Sequence, residues 1–185
     1  MNVHQPKITE KLFFLFSGAV ISTPFPILAN SLIAYVLALQ LPSPYYSVVT
    51  IALIAPILEE FAKAYPLFFR HGETERSLVT LGFLTGLGFG IAEFLIYIFV
   101  LEAPVGIRLP LLLFHATNNT IIAYGIGRYK AFYFYFLAVL LHFVYNFSIF
   151  FSGIFLIVAV LAVFTSYILA YFLYRRSREL TIKYT

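Results

Sequence analysis

The sequence has no cysteine and no aspartate, and only 11% of its 185 residues are charged. Without cysteine the chain cannot form disulfides, use a thiol nucleophile or build a thiolate metal site. All eight acidic residues are glutamates, so any carboxylate chemistry must come from glutamate. Soluble domains carry about 25% charged residues. Because the chain is instead 62% hydrophobic, it cannot cover its surface with polar side chains, and we expect lipid to be its solvent.

Apolar segments long enough to cross a bilayer recur along the chain. A membrane-spanning helix needs about 20 predominantly apolar residues. Five segments meet this requirement, roughly 46–69, 77–101, 109–127, 131–152 and 154–174. A further segment, 12–40, is long for one span and short for two, and Pro24 and Pro26 interrupt its middle.

The distribution of lysine and arginine decides how segment 12–40 crosses, because cytoplasmic loops are enriched in these residues. If it crosses once, one side of the membrane holds ten of the twelve basic residues, and the other side holds Arg108 alone. The ten are Lys7, Lys11, Arg70, Arg76, Arg128, Lys130, Arg175, Arg176, Arg178 and Lys183. We therefore predict an integral cell-membrane protein with about six spans and both termini cytoplasmic. The basic residues lie in short loops, where they set this orientation, so the +4 net charge does not indicate a nucleic-acid partner, and we expect none.

The predicted fold is an all-α, polytopic transmembrane helical bundle. It forms a single integral membrane domain over residues 1–185, with a four-helix core at about 45–152 and a flanking helix on each side. An alternative is that the first 29 residues form a cleaved signal peptide ending at Ala29. Cleavage there would leave 30–40 too short to span the bilayer.

Ionisable side chains within the predicted spans mark the candidate functional site. Each costs about 2.5–3.5 kcal/mol at mid-membrane on insertion scales, so a group of six indicates function. They are Glu59, Glu60, Lys63, Glu93, His115 and His142. All lie in the four central spans, whereas 12–40 and 154–174 contain none.

The first motif, E-E-x-x-K at 59–63, places its lysine three and four residues after its acids, so one helical face brings Lys63 to both Glu59 and Glu60. Pro56 and Pro66 bracket the motif and distort the helix, which is tolerated at membrane depth only where protein or water covers it.

Glu93 shares a helical face with Gly86, which belongs to a stripe of glycines spaced by four residues that allows close helix packing. Two H-x-x-x-N pairs follow, His115 with Asn119 and His142 with Asn146, and each pair puts an imidazole and an amide on one helical face. We interpret Asn118 and the neighbouring threonines as helix-packing residues.

Three glutamates and one lysine in the spans sum to a charge of −2, which a dry interior disfavours. Either a carboxyl group retains a proton or a divalent cation compensates the charge. Zinc is the candidate cation, with Glu93, His115 and His142 as candidate ligands. Most known routes of intramembrane peptide hydrolysis need two aspartates, H-E-x-x-H or a Gly-x-Ser nucleophile, and the sequence contains none of them. A hydrolase that depends on glutamate remains.

The four motifs, in this order, resemble those of the PrsW family of membrane proteases, a group related to the type II CAAX prenyl endopeptidases. The resemblance covers about residues 45–150 and implies a four-helix core with endopeptidase activity. It implies that Glu59 and Glu60 activate water with Lys63 as their partner, and that Asn146 donates to the oxyanion. It further implies that Glu93, His115, His142 and Asn119 belong to the site.

Two positions place the chain nearer to PrsW than to the CAAX enzymes, which carry arginine in the first motif and histidine in the second, where this chain has Lys63 and Glu93. The resemblance implies cleavage of a single-pass membrane protein or peptide, such as an anti-sigma factor, by a metal-dependent or a glutamate-only mechanism. From the depth of the motifs, at about 1.5 Å per residue, we expect a cavity that opens laterally or to the extracytoplasmic side.

Two other functions would use the same residues. A non-catalytic scaffold would need the polar cluster only to fix helix packing, and a proton- or ion-coupled transporter would use it as a relay. The sequence names neither the substrate nor the oligomeric state.

Overall fold

The computed structural model describes residues 5–69, 74–151 and 153–179, apart from the side chain of Ile107. These residues form a bundle of helices. Arg70 and Lys183, two of the ten basic residues predicted to be cytoplasmic, lie outside the described residues, as does the last residue of the predicted span 131–152.

The helices follow one another with short connections. Helix α1 (Ile8–Phe16) continues through a π-helical turn (Ser17–Ser22) into α2 (Pro24–Ala38). A second continuous segment consists of α3 (Ser43–Val48), a π-helical turn (Val49–Ile54), α4 (Ala55–Ala64) and a 3-10 turn (Tyr65–Phe69). Four long helices complete the bundle: α5 (Glu75–Phe99), α6 (Val105–Gly127), α7 (Ala131–Ser148) and α8 (Ile154–Arg176).

The prediction of an all-α membrane bundle is confirmed. Four of its helical segments are long and apolar enough to cross a membrane: Ile8–Ala38, Glu75–Phe99, Ala131–Ser148 and Ile154–Arg176. Segment 43–69 and α6, which carry most of the polar groups, are predicted to cross as well, so the count of six spans stays a prediction.

The prolines lie where one helical segment passes into the next. Pro24 and Pro26 stand in the first turn of α2, where a missing N–H costs little, and segment 8–38 remains one continuous helical path. Pro56 follows a π-helical turn, and Pro66 lies in the 3-10 turn after α4. Each proline removes one helical hydrogen bond and so distorts the helix. The two distortions lie on either side of the E-E-x-x-K motif.

The glycine stripe packs α5 directly against α6. A Cβ atom added at Gly82 would lie 2.5 Å from Ala123 Cβ, and one added at Gly90 would lie 2.6 Å from the Leu112 carbonyl oxygen. Only glycine permits so close an approach of two helix backbones. The stripe therefore sets the spacing between the helices that carry Glu93 and His115.

Polar contacts join one end of the bundle, which we call the basal end. There Gln5 Nε2 donates to Glu179 at 3.1 Å, Arg76 Nε donates to Ser177 at 2.8 Å, and Arg128 pairs with Glu75 at 3.1 Å. These contacts bring the described parts of both terminal segments and of two loops to the same end, as the charge distribution predicts. We call the opposite end, which carries loop 100–104, the distal end.

One cluster of buried hydrophobic residues occupies the basal half of the bundle, and a smaller cluster of Leu111, Phe114 and Val163 packs beside the polar motifs. The buried members of the basal cluster come from α1, α4, α5, α6, α7 and the 3-10 turn, and include Phe14, Leu67, Leu78, Ile122 and Ala138. The polar motifs lie farther along the same helices towards the distal end, so the bundle has an apolar layer beneath a polar one.

Candidate active site

The ionisable side chains predicted within the spans converge in the polar layer. By element, they are Glu59, Glu60 and Lys63 on α4, Glu93 on α5, His115 on α6 and His142 on α7. Glu60 and Lys63 are fully buried, and both histidines are buried too. Residues up to 83 positions apart in the sequence thus form one cluster, the arrangement that a shared chemical site requires.

Glu60 is the centre of this cluster. Its Oε1 atom lies 2.7 Å from Lys63 Nζ, 2.8 Å from His142 Nδ1 and 3.4 Å from Asn118 Nδ2. An ionised carboxylate only accepts hydrogen bonds, so each of these three nitrogens donates to it. Hydrogen bonds that involve charged groups are about twice as strong as neutral ones, and Glu60 therefore holds α4, α6 and α7 together.

His142 connects Glu60 to Glu59. Because its Nδ1 donates to Glu60, the neutral imidazole keeps a lone pair on Nε2. That nitrogen lies 3.7 Å from Glu59 Oε2. The same Glu59 oxygen is buried and accepts no hydrogen bond from the described residues.

His115 connects Lys63 to Glu93. Its Nδ1 lies 3.1 Å from Lys63 Nζ and its Nε2 lies 2.5 Å from Glu93 Oε2. A lysine ammonium has no acceptor, so Nδ1 accepts from Lys63 and Nε2 donates to Glu93. The imidazole rings of His115 and His142 meet edge to face, with centroids 5.2 Å apart.

A cavity of about 270 Å³ opens beside the cluster. Its wall includes four of the six ionisable residues, namely Glu59, Glu93, His115 and His142. Glu60 and Lys63 are not among the lining residues. From the cluster the cavity extends past Tyr97 near the end of α5 and Arg108 in the first turn of α6, towards the distal end.

The asparagines of the two H-x-x-x-N pairs lie in different surroundings. Asn146 lines the cavity and donates one hydrogen bond to the Ile51 carbonyl oxygen at 2.9 Å. Asn119 is fully buried and does not line the cavity. Its amide donates to the carbonyl oxygens of Lys63 at 3.2 Å and Gly82 at 2.9 Å, so it links α4, α5 and α6.

Sequence reasoning missed a hydrogen-bonded chain that reaches the cluster from α8. Ser166 Oγ donates to Asn118 Oδ1 at 2.7 Å, and the other end of the Asn118 amide donates to Glu60. Thr117 Oγ1 lies 2.7 Å from Ser166 Oγ. Asn118, which we interpreted as a packing residue, therefore connects Glu60 to Ser166, and α8, predicted only to flank the core, contributes a side chain to this network. The available signal was a primary amide in an apolar span, since such a group needs partners for both its oxygen and its nitrogen.

The residues present fit a divalent cation. Glu59, His115 and His142 each offer a ligand atom, and these atoms lie within 4.8 Å of one another. To bind a cation, a His115 ring nitrogen would have to exchange its present partner, Lys63 or Glu93, for the ion. Two imidazoles and a carboxylate are a common ligand set for catalytic zinc, which keeps its fourth position for water. Glu60 behind His142 also matches the carboxylate that usually orients a ligating histidine. Glu59 takes the place in this group that the sequence interpretation gave to Glu93, which instead contacts His115.

An apolar helical bundle that encloses glutamates, histidines and a lysine beside a cavity defines an integral membrane protein with a hydrolase-type site. The chain is a membrane protease, and it belongs to the PrsW family, because the model of the PrsW family intramembrane metalloprotease matches residues 8–172. This confirms the resemblance stated from the motifs and favours a peptidase over a scaffold or a transporter. Neither the curated proteins nor the solved structures gave a match.

Proposed function

We propose that the protein is an endopeptidase that hydrolyses a peptide bond of a single-pass membrane protein or peptide in the cavity beside α4, α5, α6 and α7. The observation that carries this proposal is that Glu59, Glu93, His115 and His142, from four separate elements, line one cavity. A membrane-embedded substrate and the surrounding lipid are its partners.

Glu59 is the proposed general base. Among the three glutamates of the cluster, Glu59 and Glu93 line the cavity, and Glu93 is held by His115 at 2.5 Å. Glu59 Oε2 receives no hydrogen bond from the described residues, so it is available to take a proton from water. The hydroxide attacks the peptide carbonyl carbon, the C–N bond then breaks, and the Glu59 carboxyl returns the proton to the leaving amine.

Asn146 is the proposed oxyanion donor. A primary amide has two N–H donors, and one of them is used by the Ile51 carbonyl oxygen. The second can donate to the negative oxygen of the tetrahedral intermediate, because Asn146 lines the same cavity as Glu59.

Glu60 and Lys63 are proposed to position the cavity residues. Lys63 joins Glu60 to His115, and Glu60 joins Lys63 to His142, so both imidazoles depend on this buried pair. Asn119 supports the pair from behind through the Lys63 carbonyl oxygen, and we assign it to helix packing.

Glu59, His115 and His142 would hold the metal ion that the family name implies. When bound there, a zinc ion would polarise the peptide carbonyl or lower the pKa of water. Glu59 would then be a ligand, so its role as the free general base belongs to the metal-free mechanism, whereas the orientation of both rings and the Asn146 amide donor belong to the chain in either case.

The proposed orientation puts the basal end in the cytoplasm, because cytoplasmic loops are enriched in lysine and arginine. The structure describes eight of the ten basic residues that the charge rule assigns to one side, and these eight belong to the segments that meet at the basal end. The cavity extends towards the opposite end. Cleavage would therefore take place in the extracytoplasmic half of the membrane or just outside it.

The decisive experiment compares Glu59→Gln with Glu102→Gln, a control in the distal loop that does not line the cavity. Purified protein in liposomes is offered a panel of quenched fluorescent single-pass peptides. Glu59→Gln should lower the cleavage rate by at least about 100-fold, since it removes the general base, while its thermal unfolding stays near that of wild type. Full activity in Glu59→Gln, or an equal loss in both variants, would contradict the assignment.

A further inference from the structure

Arg108 is a cavity residue that the proposed chemistry does not use. It lies in the first turn of α6, is partly buried and lines the same cavity as Glu59 and Glu93. Ten of the twelve basic residues are assigned to the basal end and Lys63 lies within the cluster, so Arg108 is the remaining one. Arg108 is thus the one basic residue that the charge rule assigns to the distal end, and it lies at the cavity.

The contacts of Arg108 hold its charge in place without neutralising it. Its guanidinium lies over the Tyr97 ring, with Cζ 3.4 Å from the ring centroid. No carboxylate among the described residues forms an ion pair with it, although Glu75 pairs with Arg128 and Glu60 pairs with Lys63. A guanidinium fixed on an aromatic face presents its planar N–H groups to an oxyanion, which it can bind through two parallel hydrogen bonds.

We propose that Arg108 binds an acidic side chain of the substrate and so selects peptides with a glutamate or aspartate on the distal side of the cleaved bond. This inference rests on the proposed function. The anionic cluster of Glu59 and Glu93 would repel such a side chain at the cleaved bond itself, whereas Arg108 attracts it farther along the cavity.

Helix geometry gives the spacing. Tyr97 follows Glu93 by one helical turn, and Arg108 precedes His115 by two, which places the guanidinium roughly 6–10 Å from the cluster along the bundle. An extended peptide advances about 3.3 Å per residue. The acidic residue should therefore lie about two or three positions from the cleaved bond. A lipid phosphate has the same oxyanion chemistry, and the experiment must separate the two sources.

The test uses the full chain in vesicles of phosphatidylcholine and a ladder of labelled single-pass peptides. One glutamate is moved through successive positions of the ladder, and each peptide has a matched glutamine version. Binding is measured by energy transfer in a Glu59→Gln background, so that no cleavage is needed, and cleavage is measured separately in wild type. The variants are Arg108→Gln, Arg108→Glu and Arg108→Lys, and the control is Arg176→Gln, which removes an exposed arginine outside the cavity.

At one or two adjacent positions, we expect the glutamate peptide to bind about tenfold more tightly than its glutamine version. Arg108→Gln should abolish this difference, Arg108→Glu should reverse it so that the glutamine version binds more tightly, Arg108→Lys should keep part of it, and Arg176→Gln should keep all of it. A preference that survives in Arg108→Gln would overturn the proposal.

A second result would also overturn it. A parallel measurement compares how much phosphatidylglycerol wild type and Arg108→Gln retain from vesicles that contain it. If no position prefers glutamate, and Arg108→Gln retains less of this lipid, then the oxyanion is a lipid phosphate. If the Arg108-dependent preference appears but wild type cleaves no peptide of the ladder, the proposed function fails while the binding assignment stands. Thermal unfolding of each variant checks that its fold is intact.

Discussion

At the scale of single residues, the cluster is a buried network whose members depend on one another. Glu60 and Lys63 are both fully buried, and Glu60 Oε1 lies 2.7 Å from Lys63 Nζ. Each of the two side chains is also hydrogen-bonded to a histidine. Removing one partner of a buried ion pair costs about 3–5 kcal/mol, because the other charge stays buried without compensation. Such a network fixes the positions of the His115 and His142 rings, but it also makes substitutions of Glu60 or Lys63 destabilising.

Ser166 should affect both stability and turnover through Asn118. Ser166→Ala removes the donor to the buried Asn118 oxygen, and an unsatisfied buried group costs about 1–3 kcal/mol. The Asn118 amide can then turn away from Glu60, so we expect kcat to fall while Ser166→Thr, which keeps a hydroxyl, recovers most of it.

Ser22→Ala is the matched control for this change, because Ser22 is buried and its hydroxyl has no hydrogen-bond partner among the described residues. It should leave stability and kcat close to wild type. Equal behaviour of the two alanine variants would show that the chain from α8 does not act on the cluster.

Metal content is also decided by a few residues. If Glu59, His115 and His142 hold a cation, purified wild type should contain about one divalent ion per chain, as expected for a single three-ligand site. The double variant His115→Ala/His142→Ala should lose it. Elemental analysis measures this, and a chelator should lower the unfolding temperature of wild type but not of the variant. A wild-type enzyme that cleaves with no bound metal would leave the glutamate-only mechanism.

At the scale of secondary-structure elements, the contact between α5 and α6 controls the site. Gly86 lies against the backbone of His115 and Ala116, and an added Cβ would come within 2.8 Å of Ala116 Cα and 2.9 Å of Asn119 Cβ. Neither helix can accept that atom without moving. The position of His115 relative to Glu93 therefore depends on a residue that performs no chemistry.

Gly86→Ala should destabilise the fold by about 1–3 kcal/mol, the usual cost of overpacking, and should reduce activity because α6 moves away with His115. Gly106→Ala is the control, since an added Cβ there meets no atom within 4 Å. Thermal unfolding and peptide cleavage of both variants measure the difference. A fully stable and active Gly86→Ala enzyme would contradict the role given to this contact.

At the scale of the whole molecule, the bundle separates its charges and its chemistry. The basal end collects the ion pairs and hydrogen bonds of both terminal segments, an apolar cluster fills the adjoining half, and the cavity opens in the other half. Lipid-facing apolar side chains cover the outside, as on Phe132, Tyr133, Leu161 and Phe172. The polar site is thereby shielded from lipid by the helices that form it.

Topology can be measured directly. Reporters placed after Lys130, at the basal end, and between Leu101 and Val105, at the distal end, should give opposite signals, with the basal reporter cytoplasmic, because lysine and arginine concentrate at that end. Equal signals would refute the predicted crossing of the segments between them.

The class of protein could be predicted from the sequence because a lipid environment requires a particular composition. A chain so apolar and so poor in charge must lie in lipid, and each ionisable residue in its spans is costly enough to mark function. Glu59, Glu93, His115 and His142 were predicted in this way, Asn146 was predicted from its H-x-x-x-N pair, and all five line the cavity. The order of their motifs along the chain also indicated the PrsW family.

Tertiary structure alone decided how the roles divide among neighbours. The sequence cannot distinguish Glu59 from Glu60 or Asn118 from Asn119, because adjacent residues on a helix differ in direction by only about 100° and the partner helices determine which one is bonded and which one faces the cavity. The roles of Ser166 and Arg108 likewise depend on the tertiary structure. Their contacts join residues 48 positions apart along the chain or place them beside a cavity, and no local pattern records such distances.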